Sequence, residues 1–262
     1  MSLYRGKKIF QLLVFVIWFN EYKANAITMH NIIKLKLASL YSGGKDSNYS
    51  IFEIRRTGHD VVCLISIIPE ISDSLLFHFP NIRLTQALAQ AIDLPIRNFQ
   101  SSTSRLENEM SVLKKALSLV RDEFGIEGIV HGGISSKFQK RNFEKVCEDL
   151  QLSVYSPLWN LNARNYLHQL IDEKFKITII GVSALGLGKE WLGITLNHEN
   201  VTRLQSLSSK YGFDLNFEGG EAETLVIDCP IYKKKLEIRE GKVKWFGDNG
   251  IFEISDYDLI DK

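Results

Sequence analysis

Apolar positions along the chain follow two rhythms. From residue 32 onward, short β-branched and aliphatic runs alternate with longer stretches in which apolar residues recur every three to four positions. The first pattern predicts buried strands and the second amphipathic helices. Strands are expected at 36–41, 60–68, 95–100, within 125–134 and at 153–159; helices are expected at 47–56, 81–92, 106–124 and 135–150. Pro80 precedes the helix at 81–92. In the helix at 106–124, Leu106, Met110, Leu113, Leu117, Val120 and Phe124 make one stripe, and Gly125 ends it. Strand and helix in alternation predict an α/β fold, a doubly wound and mostly parallel sheet.

After residue 159 the rhythm changes. A helix at 163–175, a strand at 176–184, a glycine-rich turn, a helix at 199–211 and a strand at 224–230 lead into a tail at 233–254. That tail alternates polar and apolar residues around "REGK" and "GDNG", which predicts an antiparallel hairpin pair. The expected organisation is an extension at 1–28, a sheet domain at 29–159 and a smaller α+β domain at 160–262 ending in a β-hairpin.

The extension has its own signature. Arg5, Lys7 and Lys8 precede an apolar run at 9–19, and "ANA" follows at 24–26, which is a signal-peptide pattern. The run is shorter than the roughly 20 apolar residues a membrane-spanning helix needs. Three readings stand open: an overlong start with Met29 as the true first residue, an export signal, or a hydrophobic N-terminal helix.

Composition narrows the chemistry. Lys and Arg total 32 against 31 Asp and Glu, so no net field favours nucleic acid or an anionic membrane. The basic positions Lys233, Lys234, Lys235, Arg239, Lys242 and Lys244 are the one candidate RNA-binding cluster, and they read as a solvated hairpin face. Cys63, Cys147 and Cys229 are far apart, which disfavours a zinc ribbon, a disulfide framework and a paired-thiol site and fits a reducing cytoplasm. Cys147 sits among the apolar residues of its helix, so burial is expected.

One loop carries the chemistry. "LYSGGKDS" at 40–47 joins the end of a strand to the start of a helix. Gly43 and Gly44 let backbone N–H groups approach phosphate oxygens, and the helix N-terminus adds partial positive charge. Lys45 offers a point charge, and Ser42 and Ser47 offer hydroxyl donors. The Asp46 carboxylate would repel a triphosphate unless a divalent cation intervened, which points to Mg²⁺ at Asp46. The loop is neither a Walker A motif nor G-x-G-x-x-G.

The hexapeptide S-G-G-x-D-S resembles the signature of the PP-loop, or N-type ATP pyrophosphatase, superfamily. That resemblance implies a Rossmann-like sheet, ATP cut between its α and β phosphates, an adenylated oxygen, and AMP as product. Three further segments, "EGGEAETLVIDCP" at 218–230, residues 133–159 and "GLGKEWLGITLN" at 186–197, are similar to the diphthine–ammonia ligase family. The likeness runs over about 37–230, in a short form similar to the archaeal one.

It implies ATP and Mg²⁺, and an ATP-dependent carbon–nitrogen ligase that catalyses the last step of diphthamide synthesis. The enzyme would adenylate the carboxylate of diphthine on translation elongation factor two and amidate it with ammonia. The implied partners are that factor and ammonia, in the cytoplasm, with no stable nucleic acid and no membrane; oligomeric state, a homodimer included, stays open. Two rivals remain: a PP-loop enzyme acting on another acceptor such as tRNA, and a non-catalytic adenine-nucleotide sensor.

Other candidates follow from position. Glu218, Glu221 and Glu223 flank a Gly-Gly turn, and carboxylates so close repel unless a metal or a cationic substrate offsets them. The trimethylammonium group of diphthine suits that role, with Trp191 as an aromatic face for it; the plain alternative is a solvated acidic turn. Lys45, Asp46, Glu221 and Glu223 are the catalytic candidates, with Glu221 a proton acceptor as the amide forms. Gly132, Gln139 and Arg141 lie at or just after the loop "HGGISS", at the carboxyl end of a strand, and are candidate nucleotide contacts. Arg141 reads equally well as an exposed helical arginine, and His131 as a base or a satisfied structural residue. Residues 157–159 would shape an adenine pocket or a domain seam. Ile194, Ala222 and Lys137 depart from the family's pattern, which touches substrate contacts more than ATP binding.

Overall fold

The run KLASL, with three successive buried residues, forms β1 (Lys36–Leu40) at the centre of a five-stranded sheet. The computed structural model describes residues 34–69, 84–101 and 106–262. The extension at 1–28, Pro80 and the first residues of the helix expected at 81–92 lie outside the described residues. Around β1 stand β2 (Asp60–Pro69), β3 (Ile96–Ser101), β4 (Gly128–Val130) and β5 (Ser153–Tyr155) in the order β3-β2-β1-β4-β5, every pair parallel. The chain leaves β1 for β2 and β3, then returns to the other side of β1 as β4. That reversal puts a switch point between β1 and β4, where the carboxyl ends of strands open a crevice in such sheets.

Helices α1 (Lys45–Arg56), α2 (Thr85–Ile92), α3 (Leu106–Phe124) and α4 (Lys137–Asp149) connect the strands. The α3 stripe buries Leu113, Ala116, Leu117 and Val120 with Phe143, Val146 and Cys147 of α4 against one face of the sheet. The other face holds α1 and α2, and its core runs on without a break into the second half of the chain. Leu35–Lys262 accordingly forms a single compact unit.

The second half contains α5 (Ala163–Asp172), β6 (Lys176–Val182), a 3-10 turn at Lys189–Trp191, α6 (His198–Tyr211), β7 (Ala222–Asp228), β8 (Lys234–Trp245) and β9 (Gly250–Asp261). Its strands make an antiparallel sheet in the order β7-β6-β9-β8. No helix among the described residues is long and apolar enough to cross a membrane.

Three expectations are corrected. The tail forms one long hairpin, because β8 runs straight through "REGK" and only residues 246–249 turn. The register shifts between Ile238 and Gly241, and a Cβ at Gly241 would collide with the Phe252 ring of β9, so this glycine serves a bulge and a ring contact. The strand expected at 153–159 stops at Tyr155, since Pro157 has no N–H for a ladder and Trp159 N–H closes a turn on the Ser156 carbonyl at 3.0 Å. The helix expected at 163–175 ends at Asp172, where Lys174 at φ 68° turns Phe175 back to bond the Leu170 carbonyl.

Candidate active site

A cleft opens at the switch point. The β1–α1 loop contributes Ser42, Asp46 and Ser47 to it, the loop after β4 contributes His131, Gly132 and Gly133, and the segment before and into β7 contributes Phe217, Glu218, Gly220 and Glu223. The loop has the geometry of an anion cradle. Gly43 takes a left-handed φ of 84°, and α1 begins at Lys45 without a side-chain cap on Gly44. Its N–H groups are held only by long bonds: Gly44 to Ser42 Oγ at 3.3 Å, Ser42 to Ser47 Oγ at 3.4 Å, and Lys45 to Thr224 Oγ1 at 3.2 Å. Bonds at the long end of the range exchange readily for phosphate oxygens.

Asp46 and Lys45 do different work. Lys45 is 2% exposed and does not line the cleft. Its ammonium donates to the Asn216 carbonyl at 2.6 Å and to Asp46 at 2.8 Å, and lies 5.3 Å from the Phe217 ring centre. The charge thus ties the start of α1 to the segment ahead of β7. Asp46 lines the cleft and also accepts from Tyr166 Oη of α5 at 2.8 Å. Burial raises its carboxyl above the ordinary value, against the pull of Lys45 and Tyr166. Glu223 shares the cleft; burial first, then Asp46 and Glu221, push its carboxyl up to about 7, with Lys45 opposing.

The three glutamates are not one cluster. Glu218 accepts from the N–H groups of Ile134 at 2.5 Å and Ser135 at 2.8 Å and from the Ser135 hydroxyl, so it clamps the loop after β4. Glu221 folds onto its own turn, accepting from Gly219 N–H at 2.9 Å and Asp214 N–H at 3.4 Å, outside the cleft lining. Only Glu223 has its carboxylate without such a backbone clamp beside Asp46.

Gly132 lies so close to α1 that an added Cβ would stand 2.6 Å from the Asp46 carbonyl carbon and 2.8 Å from the Ser47 nitrogen. Gln139 lines the cleft, whereas Arg141 is exposed and outside it. Trp191 is 2% exposed in the core, with Arg203 stacked 4.9 Å from its ring, and does not reach the cleft. His131 is 2% exposed, and burial, with Lys140 adding, pushes it down to about 4. Its Nδ1 accepts from Gly133 N–H at 3.1 Å, so Nε2 carries the hydrogen and donates to Ser156 Oγ at 2.7 Å. Both nitrogens are therefore in use as loop fasteners. Cys63, Cys147 and Cys229 are buried free thiols.

Two family profiles match in tandem: "Diphthamide synthase N-terminal domain" over residues 35–154 and "Diphthamide synthase C-terminal domain" over residues 162–260. The chain belongs to the diphthine–ammonia ligase family. The diphthine–ammonia ligase of Mus musculus is 35% identical over 222 residues, spanning 78% of this chain and 83% of the relative. That of Homo sapiens is 33% identical over 227 residues, spanning 80% and 85%. The match to the Schizosaccharomyces pombe ligase is 30% identical over 224 residues and spans 80% of this chain but only 37% of the relative. Short and long forms of diphthine–ammonia ligase thus both occur among eukaryotes, and length does not mark a form as archaeal.

In this family member, residues outside the motifs support the loop. Tyr166, Asn216, Phe217 and Thr224 all touch the loop residues Lys45 or Asp46. Phe217 holds a left-handed φ of 62°, a strain that no local signal reveals. The basic positions of the hairpin are largely matched by acidic neighbours, Lys234 with Asp261, Arg239 with Asp258 and Lys244 with Glu253.

Proposed function

We propose that this chain is an ATP-dependent amide ligase, adenylating the carboxylate of diphthine on translation elongation factor two and replacing AMP with ammonia. The observation that carries the reading is the meeting of the S-G-G-K-D-S loop with Glu223 in one cleft, in a chain of this family. The division of labour at residue 160 belongs to the same proposal: the first half holds the nucleotide and the second frames the acceptor, in the cytoplasm.

ATP is a substrate here, with its phosphates over Ser42, Gly43, Gly44 and Ser47 and the start of α1. A diphthine carboxylate oxygen attacks the α-phosphorus and pyrophosphate leaves, its growing charge met by loop N–H groups and the helix end. Ammonia nitrogen then attacks the acyl carbon, the bond to AMP breaks, and the nitrogen loses a proton. Glu223, with a carboxyl near 7, is the acceptor suited to that proton; Glu221, bound to its own turn, is not. Lys45 acts indirectly, fixing α1 and Asp46 in place. Glu218 holds the loop after β4, which leaves the trimethylammonium group to the Glu223 side of the cleft.

A magnesium ion fits the donors present. Asp46 and Glu223 are two carboxylates in one cleft, and among the described residues no group of three or more ligating side chains forms a cage. One or two carboxylates plus substrate phosphates are the usual setting for Mg²⁺. Held by Asp46, it would supply charge neutralisation on the leaving pyrophosphate and leave Glu223 free to take the proton.

The reading is tested by which phosphate bond breaks. With Mg-ATP, ammonium and diphthine-bearing factor, the chain should release AMP and pyrophosphate in equal amounts, and Asp46→Ala should release neither. ADP and inorganic phosphate would defeat the PP-loop assignment, and nucleotide binding without turnover would favour a sensor.

A further inference from the structure

Ser66 stands on β2 between Ile65 and Ile67, and all three line the cleft. It is 1% exposed, and its Oγ has no hydrogen-bond partner among the described residues. Buried hydroxyls are nearly always paired, because stripping one of water without replacement is unfavourable. An unpaired one on the wall of a cleft therefore calls for a partner that arrives with a ligand.

The surroundings define the chemistry of that ligand. Leu40, Ile65, Ile67 and Phe143 give the cleft an apolar wall, the setting for a flat ring rather than a sugar or a phosphate. β2 lies beside β1 with Leu40 opposite Ile65, and Tyr41 N–H bonds the Ile65 carbonyl at 2.8 Å, so Ser66 is level with the start of the phosphate loop. We propose that Ser66 is a specificity-determining residue that reads the edge of the nucleobase of bound ATP. The ring lies against the apolar wall, and the hydroxyl donates to N7 or accepts from the 6-amino group, which share one edge of the base. This inference rests on the reading of the cleft as an ATP site.

The test is calorimetric titration of nucleotide into the whole chain and its Ser66→Ala variant, with Mg²⁺ and no acceptor, beside a thermal melt of each. The ligands are ATP, 7-deaza-ATP and the triphosphate of purine riboside, which lacks the 6-amino group. Ser66→Ala should melt at the parent temperature or above, since it removes an unpaired polar group. It should also bind ATP about 5- to 30-fold more weakly. With one analogue, the one lacking the contacted group, parent and variant should bind alike.

Equal ATP affinity in parent and variant overturns the proposal. So does an equal loss with all three nucleotides, which would place the contact off the base edge, or a lowered melting point with unchanged affinity, which would make Ser66 structural. If the parent itself bound no ATP, the functional reading would fall and this inference with it. Tight binding by a Ser66→Ala variant would sink this inference alone.

Discussion

Glu223 is the residue whose environment says most about the chemistry. Its carboxyl, raised from 4.5 to about 7, holds a proton in the folded chain over an interval where the unfolded chain has lost it. Stability from this group is therefore full below about 4.5 and declines as pH rises through about 7. We predict that Glu223→Gln is more stable than the parent at pH 8, by about 1–3 kcal/mol, and that the gain shrinks at pH 5. Urea unfolding at both pH values checks this. The same substitution should remove a limb of the rate profile that rises through about pH 7 in the parent.

Gly132→Ala makes a second residue-scale prediction. A methyl group 2.6 Å from the Asp46 carbonyl must push loop or helix aside, costing about 1–3 kcal/mol and weakening ATP binding together. A melt and a titration that both match the parent would refute the close packing. At this scale the loop at 42–47 was legible because its chemistry is local, strand, glycines and helix in sequence. The standing of Glu223 apart from Glu218 and Glu221 was not, because it depends on which backbone N–H groups each carboxylate meets.

Among elements, the loop after β4 owes its position to a residue from the other half of the chain. Glu218 accepts from Ile134 and Ser135, and Ser136 then caps α4 by accepting from Gln139 N–H at 3.3 Å. Glu218→Ala should leave those donors without their carboxylate, lower stability by about 1–3 kcal/mol and raise the KM for ATP with a smaller change in kcat. Glu218→Gln, which keeps a carbonyl acceptor, should recover part of the loss. Equal KM in all three proteins would contradict the clamp. Element boundaries were readable where a long stripe met a clear stop, as in α3 with Gly125. In the tail the sequence misleads, because Gly241 has the look of a turn residue, and only the arrival of Phe252 from β9 reveals why a glycine sits mid-strand.

For the molecule as a whole, the parallel sheet ends with β5 at Tyr155 and the antiparallel one opens with β6 at Lys176, and the change of rhythm along the chain conceals how the two are joined. Val226 N–H of β7 donates to the Gly43 carbonyl at 3.0 Å, Tyr41 Oη meets Tyr232 Oη at 3.1 Å, and one hydrophobic core runs through both halves. The S-G-G-K-D-S loop is thus braced from the second half. Separate fragments cut near residue 160 should bind no ATP, while the whole chain should unfold in a single cooperative transition from 34 onward. An ATP-competent first fragment would show that the bracing is dispensable.

The central claim is that the cleft makes an amide at the expense of ATP. Its most direct test is the mass of translation elongation factor two bearing diphthine, measured after incubation with the chain, Mg-ATP and ¹⁵N-labelled ammonium. We predict conversion of the carboxylate to an amide carrying the label, in step with AMP release and absent with Asp46→Ala. AMP release with an unlabelled, unchanged factor would contradict the assigned acceptor and send the search to another carboxylate.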